Sequence, residues 1–477
     1  MSVNNPAPRT AGRWVMLEMF PQVFVRRLNV SLIPRLDARR ADILPALDAL
    51  REKLSPRGNV VSEAGRKKTL EVFGEALTPQ QVVERIAADV RSRGLAAVLE
   101  YSRKLDRAEV SAETLRVSAD ELQAAHTAAS PEFLSAVRRI RKNIAEFQTA
   151  VLHRSAEVKR PGVWLAQRYQ ALERVGVCVP GGAAAYPSTV LMTAVPAQAA
   201  GVREIAVIAP PTAFGSNNPD VLATCHELGI SEVYRLGGAH GVAALAYGVE
   251  GLKKVDKIVG PGNLFVALAK KLVYGEVDID SIAGPSEVVV IADGTTRPDF
   301  TAADLLAQAE HAPGASILIT WDEALLDATA AEIEKQVSRL AREQVTLDSL
   351  RDFGCLILVR DEDEACRLTN LIAPEHLHVA VDDARRFLPK LHHAGAIFLG
   401  NYSPVALGDY AAGPSHVLPT GGTARWAAGL SANSFLRSNS IIEYSASALD
   451  EVAHDIAVIA DKEGLTAHRE SVEIRCR

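Results

Sequence analysis

The chain has 477 residues, of which 48% are hydrophobic and 23% charged, and its net charge is −6. This length exceeds one ordinary domain, and the composition is that of a multidomain globular protein. The small negative charge argues against a nucleic-acid partner and against binding to an anionic membrane, since both favour basic tracts. Five widely spaced cysteines form no C-x-x-C pair. This spacing argues against a disulfide framework or a cysteine zinc knuckle, and we expect a cytoplasmic protein.

The sequence contains no run of about 18 apolar residues that would span a membrane, and residues from about 38 to 150 are charged and helix-forming. Residues 1–24 lack the pattern of a signal peptide, and we expect a poorly ordered extension. We expect an N-terminal helical segment over 25–72. Residues 73–172 favour helices that pack on another part of the chain; in one of them Thr78 can cap the helix and Pro79 takes its first position.

Two later regions alternate short apolar strands with helices. Residues 173–285 contain "RVGVCV", "EIAVIAP", "EVYRL" and "VDKIV", and residues 286–429 contain "VVVIAD", "SILIT", "CLILV" and "HLHVAV". Such strands are typical of parallel sheets covered on both faces. The sequence therefore predicts an α/β protein with two doubly wound Rossmann-like, aldehyde-dehydrogenase-like domains in tandem and helical N- and C-terminal extensions. We assign 73–172 to the same domain as 286–429, and 430–477 to a helical tail.

Three glycine-rich turns follow strands of the first α/β unit: "VPGG", "LGGAHG" and "GPGN". Ligands of doubly wound sheets bind at the carboxyl ends of the strands, and glycine lets backbone amides approach an anion closely. These turns therefore suggest a nucleotide or pyrophosphate site. None of them is G-x-G-x-x-G, so the dinucleotide fingerprint is absent, and simple tight turns remain an alternative.

The segment "LLAQAEHAPG" places Gln308 and His311 three residues apart, where a helix must end. Both side chains share one helix face and can reach one point. Amide oxygen and imidazole nitrogen, with a carboxylate such as Asp409 as a third ligand, suit a bound metal ion. The alternative is that the two side chains only cap the end of the helix.

Further polar residues of the second α/β unit lie in "GPSE", "APEHLH" and "GDYAAGPSHVLPT", and we expect them at the carboxyl ends of its strands. Glu375 beside His376 would place a carboxylate and an imidazole within reach of one substrate, as an acid/base pair. His376 and His378 alternate onto one strand face, for which a solvated face is the alternative. Cys178, in an apolar strand, is most simply a core residue.

Seven stretches in this order resemble the histidinol dehydrogenase family: "VPGG…STVLM", "VDKIVGPGN", "IAGPSEVVVIAD", "DLLAQAEH", "APEHL", "GDYAAGPSHVLPT" and "EGLTAH". The resemblance runs from about residue 50 to the end. It implies one Zn²⁺ per subunit, bound by Gln308, His311, Asp409 and His468, with His468 supplied by the partner of a homodimer. Under this resemblance, 73–172 with 286–429 form the zinc-site domain, 173–285 form the NAD-binding domain, and 430–477 contribute to the partner subunit's site.

The resemblance also implies the reaction, oxidation of L-histidinol to L-histidine with two NAD and water in the last steps of histidine biosynthesis. It assigns Glu375 and His376 as the catalytic pair. The implied substrate contacts are the four metal ligands together with Ser286, His376, His416 and Glu463. Two alternatives remain open: a family member that oxidises a different small primary alcohol, and a catalytically inactive nucleotide-binding paralogue.

The implied cofactor contacts are Cys178, His240 and Asn263. Asn263 matches the family, but Cys178 stands where a tyrosine is common and His240 where a glutamine is common. A cysteine lacks the tyrosine's ring and hydroxyl, and a histidine offers one ring donor in place of an amide's donor and acceptor. NAD remains the expected cofactor, with its preference over NADP left open.

Overall fold

The computed structural model describes residues 32–54, 63–182, 184–311 and 313–476. The predicted extension over 1–24 lies outside the described residues. Among the described helices, none combines the length and the apolar character needed to cross a bilayer.

The chain before the first parallel sheet consists mainly of helices. In chain order its elements are β1 (Arg35–Asp37), α1 (Leu44–Leu54), α2 (Glu63–Phe73), α3 (Pro79–Arg93), α4 (Leu95–Tyr101), a π-helical turn (Ser102–Asp106), α5 (Ala119–Ala128), α6 (Pro131–Ala150), β2 (Ala156–Arg160) and β3 (Val163–Ala171). The predicted start of α3 is confirmed, because the Thr78 hydroxyl accepts a hydrogen bond from the Gln81 amide and the Gln81 side chain accepts one from the Thr78 amide.

The first α/β unit is a five-stranded parallel sheet in the order β6-β5-β4-β7-β8. Its elements are β4 (Arg174–Cys178), α7 (Pro187–Ala200), β5 (Glu204–Ala209), α8 (Pro219–Glu227), β6 (Glu232–Arg235), α9 (Gly238–Tyr247), β7 (Lys257–Val259), α10 (Leu264–Val273) and β8 (Asp278–Ile279). The strand order reverses between β4 and β7, the position at which such sheets bind ligands. The glycine turns 179–182 and 260–263 directly follow these two strands.

The second α/β unit is a six-stranded parallel sheet in the order β1-β11-β10-β9-β12-β13. Its elements after β1 are β9 (Ser286–Ala292), α11 (Pro298–Ala309), β10 (Gly314–Thr320), α12 (Glu323–Val337), α13 (Glu343–Phe353), β11 (Gly354–Leu358), α14 (Glu362–Ile372), β12 (His376–Val379), β13 (Ala396–Leu399) and α15 (Val405–Tyr410). The predicted tandem α/β fold is confirmed. The sequence reading missed β1, since three residues are too few to show a strand period.

The C-terminal region consists of β14 (Leu436–Tyr444), α16 (Ala446–Glu463) and α17 (Thr466–Glu473). β14 pairs antiparallel with β3, which also pairs with β2, in a separate three-stranded sheet. The prediction of a wholly helical tail over 430–477 is therefore wrong at β14. This strand is largely exposed, so it lacks the apolar alternation that marks a half-buried strand.

The helices before the first sheet pack on that sheet. α3 contacts α9 and α10, α5 contacts α8, and α6 contacts α7. Val83 shares one hydrophobic core with Leu245, and Ile144 shares the other with Met192. The prediction that joined 73–172 to 286–429 in one domain is thus wrong, because an apolar helix face shows that the helix packs on a sheet but not on which one.

Candidate active site

The predicted catalytic residues meet at the amino edge of the six-stranded sheet. Ser286 is the first residue of β9 and His376 the first residue of β12, with Glu375 directly before it. The two strands are hydrogen-bonded neighbours, with His376 paired to Val288. The expectation that these residues lie at the carboxyl ends of the strands is wrong. Each precedes or begins its strand, and parallel strands all begin at the same edge.

The ring of His376 is held as a neutral base. Its Nδ1 lies 3.2 Å from the Glu287 carbonyl oxygen and 3.5 Å from Glu375 Oε2. Because a carbonyl oxygen only accepts, Nδ1 carries the proton and Nε2 keeps its lone pair. Burial lowers the pKa of His376, an effect opposed by the charge of Asp409, whose Oδ1 lies 3.7 Å from Nε2. A neutral ring with a free Nε2 can accept a proton from a substrate.

The carboxyl group of Glu375 is buried beside this ring. Its Oε2 accepts hydrogen bonds from the Ser286 hydroxyl at 2.6 Å and from the Glu287 amide at 2.9 Å. Burial raises the pKa of Glu375 to about 8, with a further contribution from the charge of Asp409, although the two hydrogen bonds oppose this rise. A carboxyl group with a pKa close to neutrality can both take up and release a proton under working conditions, as a general base requires.

Gln308 and His311 lie at the end of α11, which returns to the same amino edge of the sheet. The Gln308 side chain is only 3% exposed, and its Nε2 finds no hydrogen-bond partner among the described residues. It therefore does not cap the helix through that nitrogen. Burial lowers the pKa of His311, while the carboxylate of Asp409 acts in the opposite direction. His311 is thus neutral and faces a carboxylate, the state in which imidazole binds a metal.

An amide oxygen, a neutral imidazole and a carboxylate fit the nitrogen and oxygen ligands of Zn²⁺. Within the described ranges, however, no group of three or more His, Cys, Asp or Glu side chains is close enough to hold a metal ion. Of the expected ligands of these types, His311 and Asp409 lie at this edge of the sheet. His468 and Glu463 are exposed on the tail helices α17 and α16, which pack against each other.

The loop after α15 connects this edge to the first α/β unit. His416 Nδ1 lies 3.1 Å from the Asp409 carbonyl oxygen, and its Nε2 lies 3.4 Å from the hydroxyl of Thr189 on α7. The Ser415 hydroxyl donates to the Met192 carbonyl at 2.8 Å, also on α7. Burial lowers the pKa of His416. Since α7 follows the glycine turn at the end of β4, the site lies between the carboxyl edge of the first sheet and the amino edge of the second.

Of the three expected cofactor contacts, only Asn263 is exposed. It caps α10, with its side-chain oxygen accepting from two backbone amides. Cys178 is a core residue at the end of β4, and burial raises the pKa of its thiol to about 12. His240 is fully buried in the first turn of α9, with its Nε2 3.2 Å from Asp106 Oδ2. Cys178 and His240, the two positions that differ from the residues common in the family, therefore do not present their side chains to the space between the two sheets.

A family model and sequence relatives match this chain over most of its length. A family model described as histidinol dehydrogenase matches residues 75–476. The histidinol dehydrogenase of Rhodopirellula baltica is 59% identical over 458 residues, which cover 96% of this chain and 100% of that protein. This chain belongs to the histidinol dehydrogenase family. The resemblance inferred from the motifs is thus confirmed, and the family is one of oxidoreductases of histidine biosynthesis.

Other members of the histidinol dehydrogenase family are also similar to this chain, in sequence and in structure. The enzyme of Heliobacterium mobile is 48% identical over 412 residues, covering 86% of this chain and 96% of that protein. A solved histidinol dehydrogenase from Elizabethkingia anophelis superposes with a TM-score of 0.83 at 33% identity, covering 93% of this chain and 98% of that one. The tandem arrangement of two parallel sheets is therefore the arrangement of a solved family member.

A buried hydrogen-bonded pair next to the site, His378 with Asp304, was not predicted from the sequence. His378 Nδ1 lies 2.8 Å from Asp304 Oδ2, and its Nε2 lies 2.9 Å from the Gly400 carbonyl oxygen. His378 is buried, so the solvated-face alternative for this residue is wrong. Asp304 lies one turn before Gln308 on α11, so the pair ties the strand of His376 to the helix of Gln308. Residues 304, 308 and 311 are spaced to lie on one helix face, and this spacing could have indicated that Asp304 faces the same side as Gln308 and His311.

We expect His378→Leu to lower the free energy of unfolding by about 3 to 5 kcal/mol, because it leaves the Asp304 carboxylate buried without its partner. The double variant His378→Leu with Asp304→Leu should recover much of this loss. Urea unfolding measures both changes, and the exposed His392, replaced by leucine, serves as the control. Asp304→Leu alone is measured as well. If the loss of unfolding free energy in the double variant equals the sum of the losses in the two single variants, the coupling of His378 and Asp304 is contradicted.

Proposed function

We propose that this chain oxidises L-histidinol to L-histidine by two successive hydride transfers to NAD, with one Zn²⁺ bound per subunit. The observation that carries this proposal is the neutral His376 ring beside the buried Glu375, at the same edge as Gln308, His311 and Asp409. Membership of the histidinol dehydrogenase family supports the choice of substrate. A proton acceptor next to a group of metal-ligand types suits alcohol oxidation.

Gln308 through its side-chain oxygen, His311 and Asp409 would hold the zinc ion, together with His468 of the partner subunit. When bound, the ion would act as a Lewis acid and template for the nitrogen atoms of the substrate. The unpartnered Gln308 Nε2 supports this assignment, because an amide that turns its nitrogen into the protein turns its oxygen the other way. Glu463, supplied from the tail, would bind the positively charged amino group of the substrate.

His376 is the proton acceptor of the first oxidation. Its Nε2 would take the proton of the substrate hydroxyl, and NAD, when bound, would accept the hydride from the carbinol carbon. Its Nδ1 keeps donating to the Glu287 carbonyl, which supports the positive charge that develops on the ring. Ser286, on β9, and His416, in the loop that follows α15, would contact the substrate.

Glu375 is the base of the second oxidation. Its carboxylate would take a proton from water so that the water oxygen attacks the aldehyde carbon, and a second NAD would accept the hydride that the hydrate releases. His376, after it has released its first proton to solvent, would again accept the hydroxyl proton. The burial of both side chains supports this sequence, since a closed site keeps the reactive aldehyde from side reactions.

We place NAD at the carboxyl edge of the five-stranded sheet, where the strand order reverses. The glycine turns 179–182 and 260–263 offer backbone amides, and Asn263 lies at the start of α10. Cys178 and His240 would border the cofactor through their main chain, because both side chains are buried. The nicotinamide would then lie between this edge and His376.

We further propose a cytoplasmic homodimer with shared active sites. The tail helices α16 and α17 expose Val458, Ile459, Leu465 and Ile474, an apolar surface that a second copy would cover. The same helices carry Glu463 and His468, so covering this surface would bring both residues to the partner's site. All five cysteines are free thiols, which supports a reducing compartment.

With Zn²⁺ and NAD, we expect L-histidinol to yield two NADH for each histidine formed. The measurement combines NADH absorbance with chromatographic quantification of histidine. A chelator should abolish the activity and added zinc should restore it, because the substrate is oriented on the metal. Oxidation of another alcohol with no turnover of histidinol would contradict the proposed substrate.

A mixture of two inactive variants, His468→Ala and His376→Ala, should regain activity through hybrid dimers. In such a dimer one site receives an intact His376 from one chain and an intact His468 from the other. Each variant incubated alone is the control. If subunit exchange is verified and no activity returns, the shared site is contradicted.

A further inference from the structure

We propose that Glu287 is a positioning residue that holds Glu375 and His376 in place relative to each other. This inference rests on the proposed function, in which those two residues are the base and the proton acceptor. Glu287 follows Ser286 on β9 and is 3% exposed. Its main chain and its side chain each contact the catalytic pair.

The main chain of Glu287 contacts both catalytic side chains. Its amide donates to Glu375 Oε2 at 2.9 Å, and its carbonyl oxygen accepts from His376 Nδ1 at 3.2 Å. One peptide segment therefore sets the orientation of the carboxylate and the protonated nitrogen of the imidazole. Any shift of Glu287 along β9 would move both groups together.

The side chain of Glu287 completes a reciprocal arrangement. Its Oε1 accepts from the Glu375 amide at 3.3 Å and from the Gly421 amide at 2.9 Å. Each glutamate thus accepts a hydrogen bond from the backbone amide of the other, at the position where β12 begins to pair with β9. These bonds fix the start of β12 on the strand that carries Ser286.

Glu287 differs from Glu375 in the groups that its carboxyl contacts, which are the backbone amides of Glu375 and Gly421. Burial, together with the charge of Glu375, raises the pKa of Glu287 to about 8, although amides of Gly421, Gly422 and Glu375 oppose the rise. His376 and Asp409 also lie near Glu375. The pKa of Glu375 is raised to about the same value, so the two buried carboxyl groups favour sharing one proton near neutral pH, which limits the repulsion between them. Glu287 holds Glu375 by hydrogen bonds.

The side chain of Glu287 and its main chain act on different steps. Removal of the carboxyl group frees the Glu375 amide, but it leaves the main-chain carbonyl that orients His376. The attack of water on the aldehyde, which depends on Glu375, should therefore slow more than the first hydride transfer, which depends on His376. A displacement of about 1 Å of a reacting group costs about 10²-fold in rate.

The test compares Glu287→Leu with Glu287→Gln in the zinc-loaded enzyme. Glu287→Leu should lower kcat for the oxidation of L-histidinal about 10²-fold with little change in KM. The first hydride transfer from histidinol, followed as the NADH formed in a single turnover, should change much less. Glu287→Gln keeps an acceptor oxygen at nearly the same position and should restore most of the lost rate.

Thr420→Val is the matched control. The Thr420 hydroxyl accepts a hydrogen bond from the Gly284 amide at 2.6 Å. Thr420 precedes Gly421 in the same loop, but this hydrogen bond does not involve Glu375. This variant should leave the ratio of the two steps close to that of the wild type. If Glu287→Leu does not fold, Glu287→Asp provides the same comparison, because its shorter side chain cannot reach both amides.

Three results would overturn the inference: equal losses in both steps, failure of Glu287→Gln to recover the rate, or the same step-specific loss in Thr420→Val. Wild-type protein inactive on both histidinol and histidinal would instead overturn the proposed function on which the inference rests. Zinc content and thermal unfolding of each variant identify losses that come from misfolding. Failure of the positioning role of Glu287 can therefore be distinguished from failure of the proposed function.

Discussion

The candidate site depends on one constraint, the pairing of β9 with β12 at the position where the order of the six-stranded sheet reverses. Parallel strands begin at the same edge, so the first residues of these neighbours must meet there. Ser286 and Glu287 on one strand thereby face Glu375 and His376 on the other. Because α11 connects β9 to the parallel strand β10, its end, with Gln308, also lies at this edge. The buried pair of His378 and Asp304 fixes that helix against β12.

The two sheets have complementary roles because opposite edges of them face each other. The carboxyl edge of the five-stranded sheet offers glycine turns and a helix start, which suit an anionic cofactor. The amino edge of the six-stranded sheet carries Glu375, His376 and side chains of metal-ligand types. The contacts of Thr189 with His416 and of Ser415 with α7 join the edges. In the proposed function the cleft between them is where hydride passes from substrate to nicotinamide.

Much of the fold could be predicted from the sequence, because buried parallel strands and amphipathic helices have distinct apolar periods. The family was evident from motifs in a fixed order. The shared helix face of Gln308 and His311 predicted that both side chains point to one place. Three features depend on long-range packing and could not be predicted: which sheet the helices over 79–150 cover, the pairing of exposed β14 with β3, and the sheet edge that Ser286 occupies. Glu287 was missed because its role comes from contacts across two strands that are distant in sequence.

The most direct test of the central claim is a crystal structure of the zinc-loaded protein with NAD and L-histidinol. We expect the nicotinamide at the carboxyl edge of the five-stranded sheet, with the substrate hydroxyl within hydrogen-bond reach of His376 Nε2. Electron density for the cofactor at the carboxyl edge of the six-stranded sheet, beyond Ala292 and Val379, would contradict it. In that case Glu375 and His376, the proposed catalytic pair, would lie at the opposite edge from the cofactor.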